Sequence, residues 1–99
     1  MKVELLIIRP QHPKFTLGRL VGTPRALNAV TEAERVEALQ RHSSGDWGNL
    51  DQEDKAANDA ALAAGTRLFS QYESKLGTKF WIITEADRSA TTILLPEEY

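Results

Sequence analysis

The chain has 99 residues, 41% of them hydrophobic and 26% charged, with a formal charge of −2 and no cysteine. That length supports one domain over residues 1–99 with one core, because chains divide only beyond about 200 residues. The composition excludes disulfides, thiolate metal sites, a cysteine nucleophile and a polycation, and nothing matches the run of about 18 apolar residues that a membrane span requires.

Residues 2–9 form a β-branched and leucine-rich run that predicts a first strand. Its apolar part, Leu5-Leu6-Ile7-Ile8, falls short of the ~7–15 residues of a secretory core, which places the protein in the cytoplasm. Pro10-Gln11-His12-Pro13 is a connection, since two prolines deny a ladder its donors. Phe15 to Val21 alternates well enough for a second strand, weakened by Gly18, and predicts a hairpin with the first. Thr23-Pro24 opens a short helix through Ala26, Leu27 and Val30, the hydroxyl capping and the proline needing no partner. Thr31 and Glu34 form a capping box for a helix to about His42, with Ala33, Val36 and Leu39/Gln40 inward and Ser43-Ser44-Gly45 as its stop. After a tight loop at Asp46 to Leu50, Asp51 caps a helix over 52–64 that Gly65 ends. Ala57, Ala60, Ala61 and Ala64 make a stripe on it, with Leu62 alongside, suited to lie close against a sheet or helix.

The last third predicts strands over 67–74, 78–84 and 90–95, joined by a hairpin loop at Ser74 to Gly77 and a polar turn at Glu85 to Ser89. The expected fold is therefore α+β in the order β-β-α-α-α-β-β-β. An antiparallel sheet, an N-terminal hairpin plus a C-terminal three-stranded meander, packs against two to three helices.

Charge is uneven along the chain. Residues 1–30 hold five cations against Glu4, whereas residues 31–59 hold eight acids against three cations. Solvated helix faces explain this more simply than a bipolar surface that steers a partner.

Four groups of residues invite a chemical reading. His42 with Asp46 and Trp47 sets a histidine beside a carboxylate, which suits a general base. A histidine at a helix C-terminus and an aspartate in a turn are also ordinary structural choices, and that reading outweighs catalysis. The turn Thr84 to Ser89 brings Glu85, Asp87, Arg88 and Ser89 to one sheet edge, where acids could hold a cation or the guanidinium could fork onto a carboxylate or phosphate. A locally bonded turn is the simpler account, and no metal site or cofactor is expected. Phe69, Tyr72, Phe80, Trp81 and Tyr99 could stack bases, but core packing outweighs that use. His12, between two prolines, has no partner in sequence. Phosphate-cradling glycine loops, dinucleotide fingerprints, nucleophile elbows and paired histidines at metal spacing are missing from the sequence.

From Arg41 onward the chain resembles a family of small uncharacterised bacterial proteins often labelled plasmid-related. The resemblance is carried by Arg41-His42, Gly45-Asp46-Trp47-Gly48, Asp54-Lys55, Asn58, Ala61-Leu62, Gly65, Arg67, Ser70-Gln71-Tyr72 and Gly77. Its most specific part is Trp81 to Ser89 followed by Thr91 to Tyr99, with a looser match over Leu17 to Leu27, while Met1 to Lys14 departs from the pattern. The resemblance implies a mobile-element setting and no established activity. Together these readings favour a non-enzymatic binding or regulatory protein that touches another protein through a face displaying Trp47, Asp87 and Arg88. One alternative is a small hydrolase or nuclease-like enzyme using His42 with Asp46, Glu85 or Asp87. Another is a nucleic-acid-binding module, less favoured, that would gather Arg9, Lys14, Arg19, Arg25, Lys79 and Arg88 on one face.

Overall fold

The computed structural model describes residues 2–5 and 10–99, and within them the elements follow the expected order. They are β1 (Val3–Glu4), β2 (Arg19–Gly22), α1 (Pro24–Ala29), α2 (Glu32–Ser43), α3 (Gln52–Ala64), β3 (Leu68–Glu73), β4 (Lys79–Thr84), β5 (Ala90–Leu94) and a closing 3-10 turn, Pro96–Glu98. Every expected helix start is made by side chain. Thr23 Oγ1 accepts from the Ala26 amide, Asp51 from the Asp54 amide, and Thr31 and Glu34 bond each other's backbone in a full capping box. Gly65 ends α3 in the left-handed conformation at φ +74°.

The sheet differs from a hairpin plus a separate meander. Its order is β1-β2-β5-β4-β3, with β5 docked parallel to β2 (Leu20 beside Thr91, Gly22 beside Ile93) and every other pair antiparallel. The sheet is thus continuous and mixed, and the three helices form the connection from β2 to the far edge strand, β3. β2 is also shorter than predicted. Gly18, at φ +65°, lies so close to the backbone of Arg88 and Ser89 that a Cβ would meet Ser89 O at 2.4 Å. The chain therefore turns at Gly18, and Leu17, just before the strand, enters the core. Of the predicted first strand, residues 6–9 lie outside the described residues, and Val3–Glu4 pairs with β2 as a hairpin would.

α3 borders the edge strand β3, and α1 and α2 pack on one side of the sheet. Leu20, Ala26, Val30, Ala38, Leu39, Tyr72, Phe80, Ile82 and Ile93 meet there as the core. α2 is rotated from the expected face: Ala38, Leu39, His42 and Ser43 are buried, while Ala33 is exposed and Val36 and Gln40 are half-buried. The alanine stripe of α3 does not pack either, since Ala57, Ala60 and Ala64 are exposed. The helix instead buries Asn58, whose amide takes the Phe69 N–H at 3.2 Å and gives to the Phe69 carbonyl at 2.7 Å. Asn58 thereby satisfies both backbone groups of the edge strand that a further strand would have paired. Trp47–Asn49 does the same one step along, through Asn49 N to Gln71 O (2.7 Å) and Gln71 N to Trp47 O (3.2 Å).

Candidate functional site

His42 is fully buried and carries two hydrogen bonds, Nδ1 to Ser70 Oγ (2.6 Å) and Nε2 to Thr84 Oγ1 (2.8 Å). The chain runs on through Thr84 Oγ1 to Thr91 Oγ1 (2.7 Å), and Thr91 donates to the Leu17 carbonyl (2.7 Å). Each hydroxyl has one hydrogen, so this order fixes the direction. Thr91 spends its proton on Leu17, Thr84 donates to Thr91, and His42 must donate to Thr84 through Nε2–H. Nδ1 then accepts from Ser70. The imidazole is neutral, and burial, aided by the charge of Arg88, lowers its pKa from 6.5 to about 3.

No carboxylate takes part in this chain. Asp46 is held by Arg41 instead, as a fork of 2.7 and 3.2 Å, and also accepts from the Gly48 amide. The Arg41 guanidinium holds the Asp46 carboxyl below its usual range. The geometry makes His42 a clip that ties the end of α2 to β3, β4 and β5. As a pair, His42 and Asp46 are not assembled for acid–base work.

Trp47 is buried, at 3% exposure, rather than displayed. Its indole N–H donates to Asp59 at 2.9 Å, its ring stands edge-on to His42 at 5.7 Å and stacks on Phe15 at 6.3 Å. Gly48, at φ +76°, permits this entry, because a Cβ there would overlap Gln71 O. Arg88 closes the same corner, with its guanidinium 5.5 Å from the Phe15 ring centre and Nη1 bonded to the carbonyls of Thr66 (2.7 Å) and Glu85 (3.1 Å). The two segments singled out by sequence therefore converge, with Phe15 between them, but as a sealed corner. Asp87 accepts from the Ser89 amide at 3.0 Å, and the bonds from Ser89 hold its carboxyl below the usual range. Asp87 and Ser89 are exposed, and Glu85 is half-buried.

The opposite side of the sheet has a different character. Strand alternation puts Arg67, Phe69, Gln71 and Glu73 on it from β3, Lys79, Trp81, Ile83 and Glu85 from β4, and Thr92 and Leu94 from β5. Among the described residues the chain end lies against this face, where Ile83, Thr92 and Leu94 are buried, and Lys2 and Thr23 border the same end of it. Glu98 accepts from Thr23 Oγ1 (2.7 Å) and the Leu95 amide (2.9 Å), which turns Tyr99 back over the strands. The Tyr99 ring meets Trp81 edge-on at 5.5 Å, lies under the Arg67 guanidinium at 5.0 Å, and takes a hydrogen bond from Arg67 on its hydroxyl. Trp81 also tilts against Phe69 at 5.7 Å and donates to Gln71 at 3.0 Å. Beside Tyr99 lies a hollow of about 200 Å³ lined by Arg67, Phe69, Trp81 and Ile83.

The aromatic set assigned to the core is therefore divided. Tyr72 and Phe80 are core, whereas Phe69 and Trp81 are half-buried and Tyr99 is 65% exposed. The signal was in the alternation, because Phe69 and Trp81 share parity with Arg67, Gln71 and Lys79. The cations proposed to share a face are dispersed among the described residues. Arg19 pairs with Glu4, Arg25 with Glu97, Lys14 lies against Gly45, and Arg88 closes the corner, while Arg9 lies outside the described residues. Among the described residues no cluster of three acids or histidines is placed to hold a metal ion, and no helix is long and apolar enough to cross a membrane. No family model, curated protein or solved structure matches the chain.

Proposed function

We propose that this chain is a small non-enzymatic binding protein that acts through protein–protein contact, with the open face of its sheet as the contact surface. The observation that carries this reading is the one-sided packing. α1 and α2 cover one face, and on the other Phe69 and Trp81 are half-buried and Tyr99 is exposed beside them. Rigid aromatic side chains with a polar end, ringed by charges, are the residue types that anchor protein contacts. The plasmid-related setting implied by the resemblance suits a regulatory partner of this kind. A hydrolase reading draws no support from a histidine whose two nitrogens are both held by hydroxyls.

Site-specific photo-crosslinking in cells tests the reading. A crosslinker at Lys79, exposed on the open face, is expected to give discrete protein adducts, and one at Ala60, exposed on α3, is not. Equal labelling from both positions, or none from Lys79, would count against it.

A further inference from the structure

We infer that the closing turn Pro96–Glu98 and Tyr99 form a detachable strap over the open face, and that a partner lifts the strap to reach the whole of its apolar patch. The inference rests on the reading of that face as a protein-contact surface and concerns what governs access to it. Phe69 stands beside Ile83 and Trp81 beside Leu94 in the ladders, so four large apolar side chains adjoin on this face across β3, β4 and β5. The four are not equally open. Phe69 and Trp81 are half-buried, whereas Ile83 is 4% exposed and Leu94 7%.

Among the described residues, the strap borders the closed half of the patch. Ile83 and Leu94 line one hollow with Glu98 and Tyr99, and Ile83 lines a second with Trp81 and Tyr99. Lifting the strap bares Ile83 and Leu94 and joins them to the two half-buried rings as one continuous apolar patch. A patch of that kind marks a protein contact when a partner is present and is a liability when none is. The strap answers both conditions, covering the patch in the free chain and yielding to the partner.

What holds the strap is unlike what holds the core. Leu95 is buried and fixes its start, and none of the four residues beyond it is. Glu98 pins the turn to α1 by accepting from Thr23 Oγ1, and Glu97 pairs with Arg25 at 3.1 Å with both side chains mostly exposed. Tyr99 adds its bond from Arg67 and its edge contact with Trp81. Exposed contacts of this kind are screened by salt and contribute little in water, so the segment opens far more readily than the core. Its opening breaks no strand pairing, because β5 ends at Leu94. Thr23 also keeps its capping bond to the Ala26 amide when Glu98 leaves.

The test reads Trp81 and Lys79 in the full chain, with circular dichroism showing each variant folded. In a Trp47→Phe background Trp81 is the sole indole, and its quenching by acrylamide reports whether the strap is down. Glu98→Ala removes the pin and is expected to raise that quenching about twofold, with a comparable rise in protein adducts from a photo-crosslinker at Lys79. Glu98→Gln keeps an oxygen that can accept from Thr23 and is expected to change neither readout. Tyr99→Ser, which removes the ring and leaves Glu98 in place, is expected to reproduce both rises. Quenching that Glu98→Ala leaves unchanged overturns the strap. So does quenching that rises while the Lys79 adducts stay level or fall, because Tyr99 then belongs to the contact instead of covering it. Adducts that persist beside either result leave the contact reading standing; their absence from every variant and from the wild type removes both.

Discussion

The sealed corner and the open face are built from the same kinds of residue and do opposite things. At the corner, Phe15, Trp47, His42 and Arg88 bring three rings and a guanidinium together, and each polar atom given a bond finds its partner within the fold. On the open face, Phe69, Trp81, Tyr99 and Arg67 repeat three rings and a guanidinium, yet Tyr99 remains 65% exposed. What separates them is covering. The corner lies where the chain crosses itself, the Lys14 amide bonding to the Ser43 carbonyl at 2.7 Å and the Trp47 segment bonding along β3. Over the Phe69 and Trp81 end of the open face, the described residues place the closing 3-10 turn and Tyr99. An aromatic and an arginine in sequence are therefore not a binding site until the topology leaves them uncovered.

The largest expected effect tests that contrast by removing one tryptophan from each region. Trp47→Ala empties a buried site and removes the bond to Asp59, and is expected to cost about 3–5 kcal/mol in urea unfolding. Trp81→Ala, half-buried, is expected to cost roughly half as much. Equal losses of stability would break the comparison.

Acid comes next, because it acts on the corner through His42. The folded histidine has its pKa lowered to about 3 against 6.5 unfolded, so below pH 6.5 the unfolded chain binds the proton and the folded chain does not. Stability is complete above pH 6.5 and is lost as pH falls toward 3. Between pH 6.5 and 4.5 that linkage amounts to about 2–3 kcal/mol, at 1.36 kcal/mol per unit. The lowered carboxyls of Glu34, Asp46, Asp87 and Glu98 add to the loss at lower pH. His42→Gln, though less stable at neutral pH, is expected to show a flatter Tm between pH 6.5 and 4.5. An unchanged slope would mean that the imidazole reaches water or takes its proton inside the fold.

Local chemistry was the legible part of this fold. Thr23, Thr31 with Glu34, Asp51 and Gly65 mark helix ends because each acts within a few residues of itself, and the β3–β4 and β4–β5 turns are local for the same reason. The parallel seat of β5 against β2 was hidden, since it joins segments about 70 residues apart and no short-range signal encodes it. The same distance hid the corner. His42 meets hydroxyls from Ser70 and Thr84 rather than the acid four residues on, because Asp46 turns back to Arg41. The alanine stripe misled for a different reason: alanine is the best helix former wherever it sits, so it marks propensity as readily as packing.

The smallest effect on stability belongs to Tyr99, and it is the sharpest probe of the open face. With the ring 65% exposed, an edge contact to Trp81 and an arginine above it contribute little in water, so Tyr99→Ser is expected to cost no more than about 1 kcal/mol. The fluorescence consequence is larger. In a Trp47→Phe background Trp81 is the sole indole, and acrylamide is expected to quench it more strongly once Tyr99 is gone. In a Trp81→Phe background Trp47 is expected to resist quenching whether or not Tyr99 is present, because its surroundings are Phe15, His42 and Asp59. Strong quenching of Trp47 would mean that the corner is less closed than its geometry implies.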